Sequence, residues 1–232
     1  DWFAWHIALG ILGVLSLLVS LWFWRNLPDA KHFVPQKSAI GKLLPALGFN
    51  LKNPGLLCLY GLAFLLMGGF VTSYNYIGYL LMGSPYGLSQ AVVGSIFFVY
   101  LVGTFSSAYM GKLADRHGKS LILPLSISIM LVGAVITLSP LLWIKIVAVA
   151  IFTYGFFGSH SIASGWVGQK ATNYKAQASS LYLLFYYAGS SLLGTTGGLF
   201  WTLFGWNGVI AMISFLLVIA LFLSGLLAAK KE

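Results

Sequence analysis

Long apolar runs separated by short polar breaks organise this chain. No Asp, Glu, Lys or Arg occurs in Trp2–Trp24, Asn53–Gly111, Ser120–Ile144, Val147 to about Ser164, or Ala176–Ala229. A membrane-spanning helix needs about 20 such residues, because the hydrocarbon layer is ~30 Å thick and a helix rises ~1.5 Å per residue. The second run is long enough for two spans, and GSPYGLSQ (83–90) breaks it with a proline and turn-forming residues. The last run is parted by FGWNG (204–208). The pattern predicts seven transmembrane helices. A transmembrane barrel would alternate polar and apolar residues in strands of about 10 residues, and no such alternation occurs.

Composition excludes a water-soluble domain. The chain is 59% hydrophobic and 7% charged, against about 25% charged in soluble proteins. The net charge of +9 could suggest a nucleic-acid partner, but its distribution points to topology. Arg25, Lys31, Lys37, Lys42 and Lys52 fall in the first loop, Lys112, Arg116 and Lys119 in the third, Lys170 and Lys175 in the fifth, and Lys230 and Lys231 in the tail. In a seven-span chain these segments share one side, which the positive-inside rule makes cytoplasmic. Only Lys145, at the end of SPLLWIK (139–145), falls on the other side. It is expected to snorkel to the outer headgroups. The lone Cys58 lies within a span and reads as filler.

The order of elements suggests a span at 1–24, a cytoplasmic linker at 25–54, a six-helix bundle at 55–229 and a tail at 230–232. The linker piece SAIGKLLPALGF (38–49) is mildly amphipathic and is expected to lie on the membrane surface. The six later spans divide three and three. Small and polar residues interrupt the first of each triplet, at GGFVTSYNY (68–76) and YGFFGSHS (154–161). Matching interruptions in oppositely directed helices are what an inverted-topology repeat predicts, and they point to a transporter's binding site. The chain opens at Asp1 directly before a span, so it is expected to be the C-terminal part of a longer transporter.

The decisive stretch is GKLADRHGKS, Gly111–Ser120, an island of charge between two apolar expanses. It resembles the signature loop of the major facilitator superfamily, Gly-x-Leu-Ala-Asp-Arg-x-Gly followed by two basic residues. Gly111, Leu113, Ala114, Asp115, Arg116, Gly118 and Lys119 match, and Ser120 replaces the last basic residue. YNYIGYLL, HSIASGWVG and SLYLLFYYAGSSLLGTTGG are similar to bacterial efflux carriers of the proton-antiport type. The resemblance implies an all-α membrane protein: the six-helix half of a major facilitator fold, preceded by the sixth of twelve helices. It further implies alternating-access export of a small molecule in exchange for protons across the bacterial inner membrane, with the Asp1 end periplasmic and the Glu232 end cytoplasmic. An uptake permease for sugars or metabolites, and a truncated membrane protein without transport, are the alternatives. The partner implied is an N-terminal half of the same transporter. Asp115 would contact that half and release it as the carrier rocks. The first, second, fourth and fifth bundle helices would line the cavity.

The residues themselves add further expectations. Gly103, Ser107 and Gly111 recur every four residues and would let a neighbouring helix approach closely. Ser190, Gly194 and Gly198 do the same. Gly118 suits a turn at positive φ. Topology requires no acid, so Asp115 is left to pair with Arg116 or a nearby Lys or to sit at the positive N-terminal end of a helix, whereas Lys112 and Lys119 are explained by topology alone. Thr72, Asn75 and Tyr79 share a helical face and read as cavity-lining groups or as interhelical hydrogen bonders; Tyr74 lies off that face, towards a neighbouring helix. His160 is the histidine deepest in a bundle span, with readings as a proton carrier or a packing residue. Tyr182 and Tyr186 offer apolar rings with a hydroxyl handle, and Tyr187 reads as an interfacial belt residue. FFVY (97–100) reads as packing. No paired carboxylates, metal-spaced Cys/His cluster, phosphate loop or Gly-x-Ser-x-Gly occurs, so no enzyme, metal or cofactor is expected beyond a coupling proton.

Overall fold

A computed structural model describes residues 5–28, 41 and 43–229. Most of the linker (29–40 and Lys42), the Asp1 end and the Lys230–Glu232 tail lie outside the described residues, and with them Lys31 and Lys37. Two units divide the chain at residue 39. The first contains helix α1 (Trp5–Asn26), whose described side chains are exposed from His6 onwards.

The second unit starts with a short helix, α2 (Leu43–Leu51). It was expected on the membrane surface, but two of its residues are buried in the bundle, Ala46 and Asn50. The Asn50 amide lies 3.3 Å from the carbonyl of Tyr174, and the Phe49 and Tyr174 rings meet edge to face at 5.9 Å. A side-chain amide satisfying a loop carbonyl thus fixes α2 to protein.

α3 (Pro54–Met82) begins where Asn53 caps it. The Asn53 side chain accepts from the amides of Gly55 at 2.9 Å and Leu56 at 3.3 Å, and Pro54 stands where its missing N–H does no harm. After the turn, α4 (Gln90–Gly94) passes through a 3-10 stretch (Ser95–Val99) into α5 (Tyr100–His117). Gly118, at φ +90°, ends α5 and admits α6 (Lys119–Ile136) without a loop. α7 (Leu142–Lys170) and α8 (Lys175–Ala229) follow.

Two expected boundaries shift. The turn after α6 is short and α7 resumes at Leu142, so SPLLWIK is not wholly loop. Lys145 lies inside α7 and is 3% exposed, so it does not snorkel. In α8 the expected break FGWNG shrinks to one non-helical residue, Gly205, at φ +58°. It separates arm α8a (175–204) from arm α8b (206–229).

Close contacts give the directions. On α3, Phe64, Gly68 and Thr72 meet Gly189, Leu193 and Gly197 of α8a in ascending order, so these two run parallel. Gly69 and Gly61 meet Ile213 and Leu223 of α8b in the reverse order, so α8b runs back. With α1, the described residues form seven spans. The bundle end carrying GKLADRHGKS is the basic end.

Lipid gives helices no gain from hiding apolar surface in each other, so backbone approach has to supply the contact. The seams show it. A Cβ added to Gly189 would lie 2.1 Å from the Phe64 carbonyl oxygen, and one on Gly68 would lie 2.3 Å from Leu193. Between α6 and α7 the glycines are reciprocal: Gly133 lies against the Phe152 backbone and Gly155 against the Met130 backbone. Gly103 of α5 lies against the Phe157 ring of α7, and further along the same seam the Ser161 hydroxyl donates to the Ser107 carbonyl at 3.2 Å, with Gly111 beside it. On α8a the tightest points are Gly189 and Gly197. Gly194 and Gly198 of the expected row sit one step aside against Val71, Asn75 and Tyr76, while Ser190 is half-buried.

Gly189→Ala is expected to lower unfolding stability in detergent by about 1–3 kcal/mol through overpacking. Gly165→Ala, with nothing within 4 Å of the new methyl, should shift it by no more than about 0.5 kcal/mol. Denaturation midpoints of the two variants check this, and equal midpoints would remove the seam.

Candidate functional site

At the basic end, GKLADRHGKS straddles the junction of α5 and α6. Asp115 near the end of α5 and Lys119 at the start of α6 face each other across Gly118, with 4.0 Å between carboxylate and ammonium. Lys119 is the better shielded of the two, and its ammonium donates to Gln169 near the end of α7 at 2.6 Å. Arg116 and Gly118 are exposed, and Gly111 is half-buried. Asp115, Gly118 and Lys119, with Trp166, Gln169, Lys170 and the end of α8b, border a cavity of about 590 Å³. Lys119 therefore has a structural partner that topology alone does not require. Asp115, 75% exposed, keeps its outer oxygen available for a further contact. It is the only acid among the described residues.

Further into the bundle, aromatic rings from four helices form a continuous cluster. Phe70 of α3 stacks on Phe156 of α7 at 3.9 Å between centroids, and both are buried. Further rings, half-buried except for the exposed Phe97, extend from this pair in two directions. Towards the far end, Tyr74 packs on Phe70 at 4.8 Å and on Tyr100 of α5 at 5.1 Å, and Tyr100 stacks on Phe97 at 5.6 Å. Towards the basic end, His160 lies 5.9 Å from Phe156 and 4.8 Å from Tyr186 of α8a. The hydroxyls are tied in: Tyr74 and Thr153 share a hydrogen bond of 2.8 Å, and His160 Nδ1 and Tyr182 share one of 3.0 Å. Beside them, His160, Ser164, Val167, Ser179, Tyr182 and Leu183 line a pocket of about 200 Å³. The cluster contains no Asp, Glu, Lys or Arg. Its helices are the first, second, fourth and fifth of the bundle.

The three groups expected on one face of α3 separate. Thr72 is fully buried in the α3–α8a seam, its hydroxyl 2.7 Å from the Gly68 carbonyl and 3.1 Å from that of Leu193. It is a packing group here and lines no cavity, because the glycines opposite draw α8a onto it. Asn75 is exposed beside Gly194. Tyr79 is 60% exposed, near Tyr76 and Trp201. The structure brings His160, Tyr182 and Tyr186 together but leaves Thr72, Asn75 and Tyr79 outside that group. Sequence reasoning missed Tyr100 and Thr153. The signal for Tyr100 was a hydroxyl-bearing ring at the end of FFVY; for Thr153 it was a lone hydroxyl one residue before YGFFGSHS.

Comparison with known proteins decides the family. A family model for the Major Facilitator Superfamily matches residues 1–194. The chain belongs to that superfamily. It is 50% identical over 228 residues to an uncharacterized MFS-type transporter, YybF, of Bacillus subtilis, covering 98% of this chain and 56% of that protein. It is 46% identical over 221 residues to the inner membrane transport protein YnfM of Escherichia coli, covering 95% and 53%. A probable sugar efflux transporter of Helicobacter acinonychis is 30% identical over 120 residues, covering 51% and 29%. The chain thus spans about half the length of the curated relatives it matches. As a major facilitator half, its GKLADRHGKS loop occupies the helix junction where the superfamily's signature is placed, and its aromatic cluster lies on spans of the complete six-helix set.

A double-mutant cycle tests whether the cluster's hydroxyls bind one another. Tyr74→Phe and Thr153→Val are expected to couple by about 0.5–1.5 kcal/mol in detergent unfolding. Strict additivity would show that the bond contributes nothing.

Proposed function

We propose that this chain is half of a secondary transporter that exports small, largely aromatic organic molecules in exchange for protons. The observation carrying the proposal is the uncharged cluster of rings and hydroxyls, Tyr74, Tyr100, His160, Tyr182 and Tyr186, drawn from four spans of a major facilitator half. Such a surface offers flat apolar faces and a few oriented hydrogen bonds, the usual make-up of a small-molecule site. The efflux direction is supported by the Helicobacter relative, a probable sugar efflux transporter, and by the likeness of the α8a sequence to efflux carriers. Proton coupling is supported by chemistry: His160, an imidazole able to take up and release a proton, stands within the cluster, paired to Tyr182. The basic end of the bundle is assigned to the cytoplasm, because Lys52, Lys112, Arg116, Lys119, Lys170 and Lys175 all belong to it by topology. Asp115 is assigned as a latch towards the other half, closed in one orientation of the carrier and open in the other. Asn75 and Tyr79, exposed on α3, are assigned to contacts outside the ring cluster.

The testing experiment is a substrate panel on cells expressing the complete reading frame, with and without an uncoupler. Aromatic compounds should be depleted from cells, and the uncoupler should abolish the depletion. Accumulation would reverse the direction, and insensitivity to the uncoupler would remove the proton. Tyr186→Leu is expected to change the ranking of substrates, whereas a uniform loss for every compound would make Tyr186 a packing residue.

Asp115→Asn is expected to slow transport at least tenfold while membrane levels stay unchanged. Unaltered rates in the same efflux assay would take Asp115 out of the latch.

A further inference from the structure

Lys145 is a buried cation that neither the aromatic cluster nor the GKLADRHGKS loop uses. It lies in the second turn of α7, at the end of the bundle opposite the basic one. An ammonium withdrawn from water normally demands a carboxylate. Among the described residues none is at hand, since their only acid, Asp115, is at the other end, close to Lys119. The ammonium instead donates to the backbone carbonyl of Thr137. Thr137 caps the C-terminus of α6, where the helix dipole concentrates partial negative charge on free carbonyls. The end of a helix thus replaces the missing acid.

Two rings complete the cage. The Lys145 ammonium lies 5.8 Å from the Tyr86 ring centroid and 5.9 Å from that of Trp206, within cation–π range. The ring walls are tied to the same turn. The Trp206 indole N–H lies 3.2 Å from the Thr137 carbonyl and 3.1 Å from its hydroxyl, and Tyr86 donates to the Pro140 carbonyl at 2.7 Å. The Thr137 carbonyl therefore receives both Lys145 and Trp206, one for each lone pair. Thr137 is 1% exposed and Trp206 7%. The cage joins the turn after α3, the turn after α6, the start of α7 and the start of α8b. The first two belong to one set of three spans and the last two to the other. At the basic end the corresponding cross-link, Lys119 to Gln169, instead borders an open cavity.

We propose that Lys145 is a positioning residue for alternating access, a pin that fixes the far ends of the two three-span sets to each other and leaves relative movement to the basic end. This rests on the transporter reading above, but its test does not require transport. In the carrier expressed from its complete reading frame, with Cys58→Ser, paired spin labels are placed on Leu138→Cys with Asn207→Cys at the far end. A second pair is placed on Ser120→Cys with Thr172→Cys at the basic end. The far-end pair should give one narrow distance distribution with and without the substrate panel, and the basic-end pair a broader one. Lys145→Met should about double the far-end width and leave the basic-end width unchanged. If the folded Lys145→Met protein keeps a narrow far-end distribution, or if both pairs broaden alike, the pin is overturned. Should Lys145→Met not accumulate, Tyr86→Leu carries the test: it removes one wall of the cage but leaves the ammonium on its carbonyl, and a smaller far-end broadening is expected. A carrier that moves no compound would remove the transport proposal, and the far-end distances would still decide whether Lys145 pins the two sets.

Discussion

Everything in this bundle depends on how closely helices approach when the solvent is lipid. Leucine against leucine is no better inside the protein than against an acyl chain, so association has to come from backbone contact and from polar groups that find one another. The chain meets this with glycines set opposite bulky neighbours: Gly68 and Gly189 between α3 and α8a, Gly133 and Gly155 between α6 and α7. These two seams place α3 beside α8a and α6 beside α7, which links the first three-span set to the second. The aromatic cluster follows from this placement. Phe70 reaches Phe156, and Tyr74 reaches Thr153, only because α3 and α7 are held in the same neighbourhood.

Charge and polarity obey the same constraint. Inside the spans, polar groups satisfy one another: Thr72 bonds carbonyls of α3 and α8a, and Tyr182 bonds His160. At the two ends, single lysines join elements that come from different three-span sets. Lys119 does so beside an open cavity with a carboxylate near it. Lys145 does so in a closed cage whose negative pole is a helix terminus. The family's signature loop thus sits at the looser of the two ends, where an exposed Asp115 has room to change partners.

Much of the architecture was legible in the sequence because hydrophobic length and charge are one-dimensional signals. The spans, the GKLADRHGKS junction and the reversal at FGWNG all came from runs and breaks. What failed needed knowledge of neighbours. Thr72, Asn75 and Tyr79 do share a face of α3, but periodicity cannot say that α8a covers one of them and leaves the other two exposed. GSSLLGTTGG has small residues all round its helix, so spacing by four could not choose Gly189 and Gly197 over Ser190 and Gly198. Lys145 was misread for a physical reason. A lone charge in an apolar run is assigned to a loop unless a counter-charge is visible, and the end of α6 is a counter-charge made of backbone, which no side-chain alphabet spells. Tyr100 was hidden inside FFVY because its ring and its hydroxyl make opposite claims, and only the ring was heeded.

The one-residue break at Gly205 has a consequence for how the protein is made. From Ala176 to Ala229 the chain has no Asp, Glu, Lys or Arg, and only Gly205 leaves the helix. A ribosome feeding this stretch into a membrane delivers two arms with no polar stop between them. Beyond Lys175, the first residue of α8a, neither arm carries a charge. The charges flanking the pair are Lys175 at its start and Lys230 and Lys231 after it, so the two arms and the turn between them form one continuous apolar cargo.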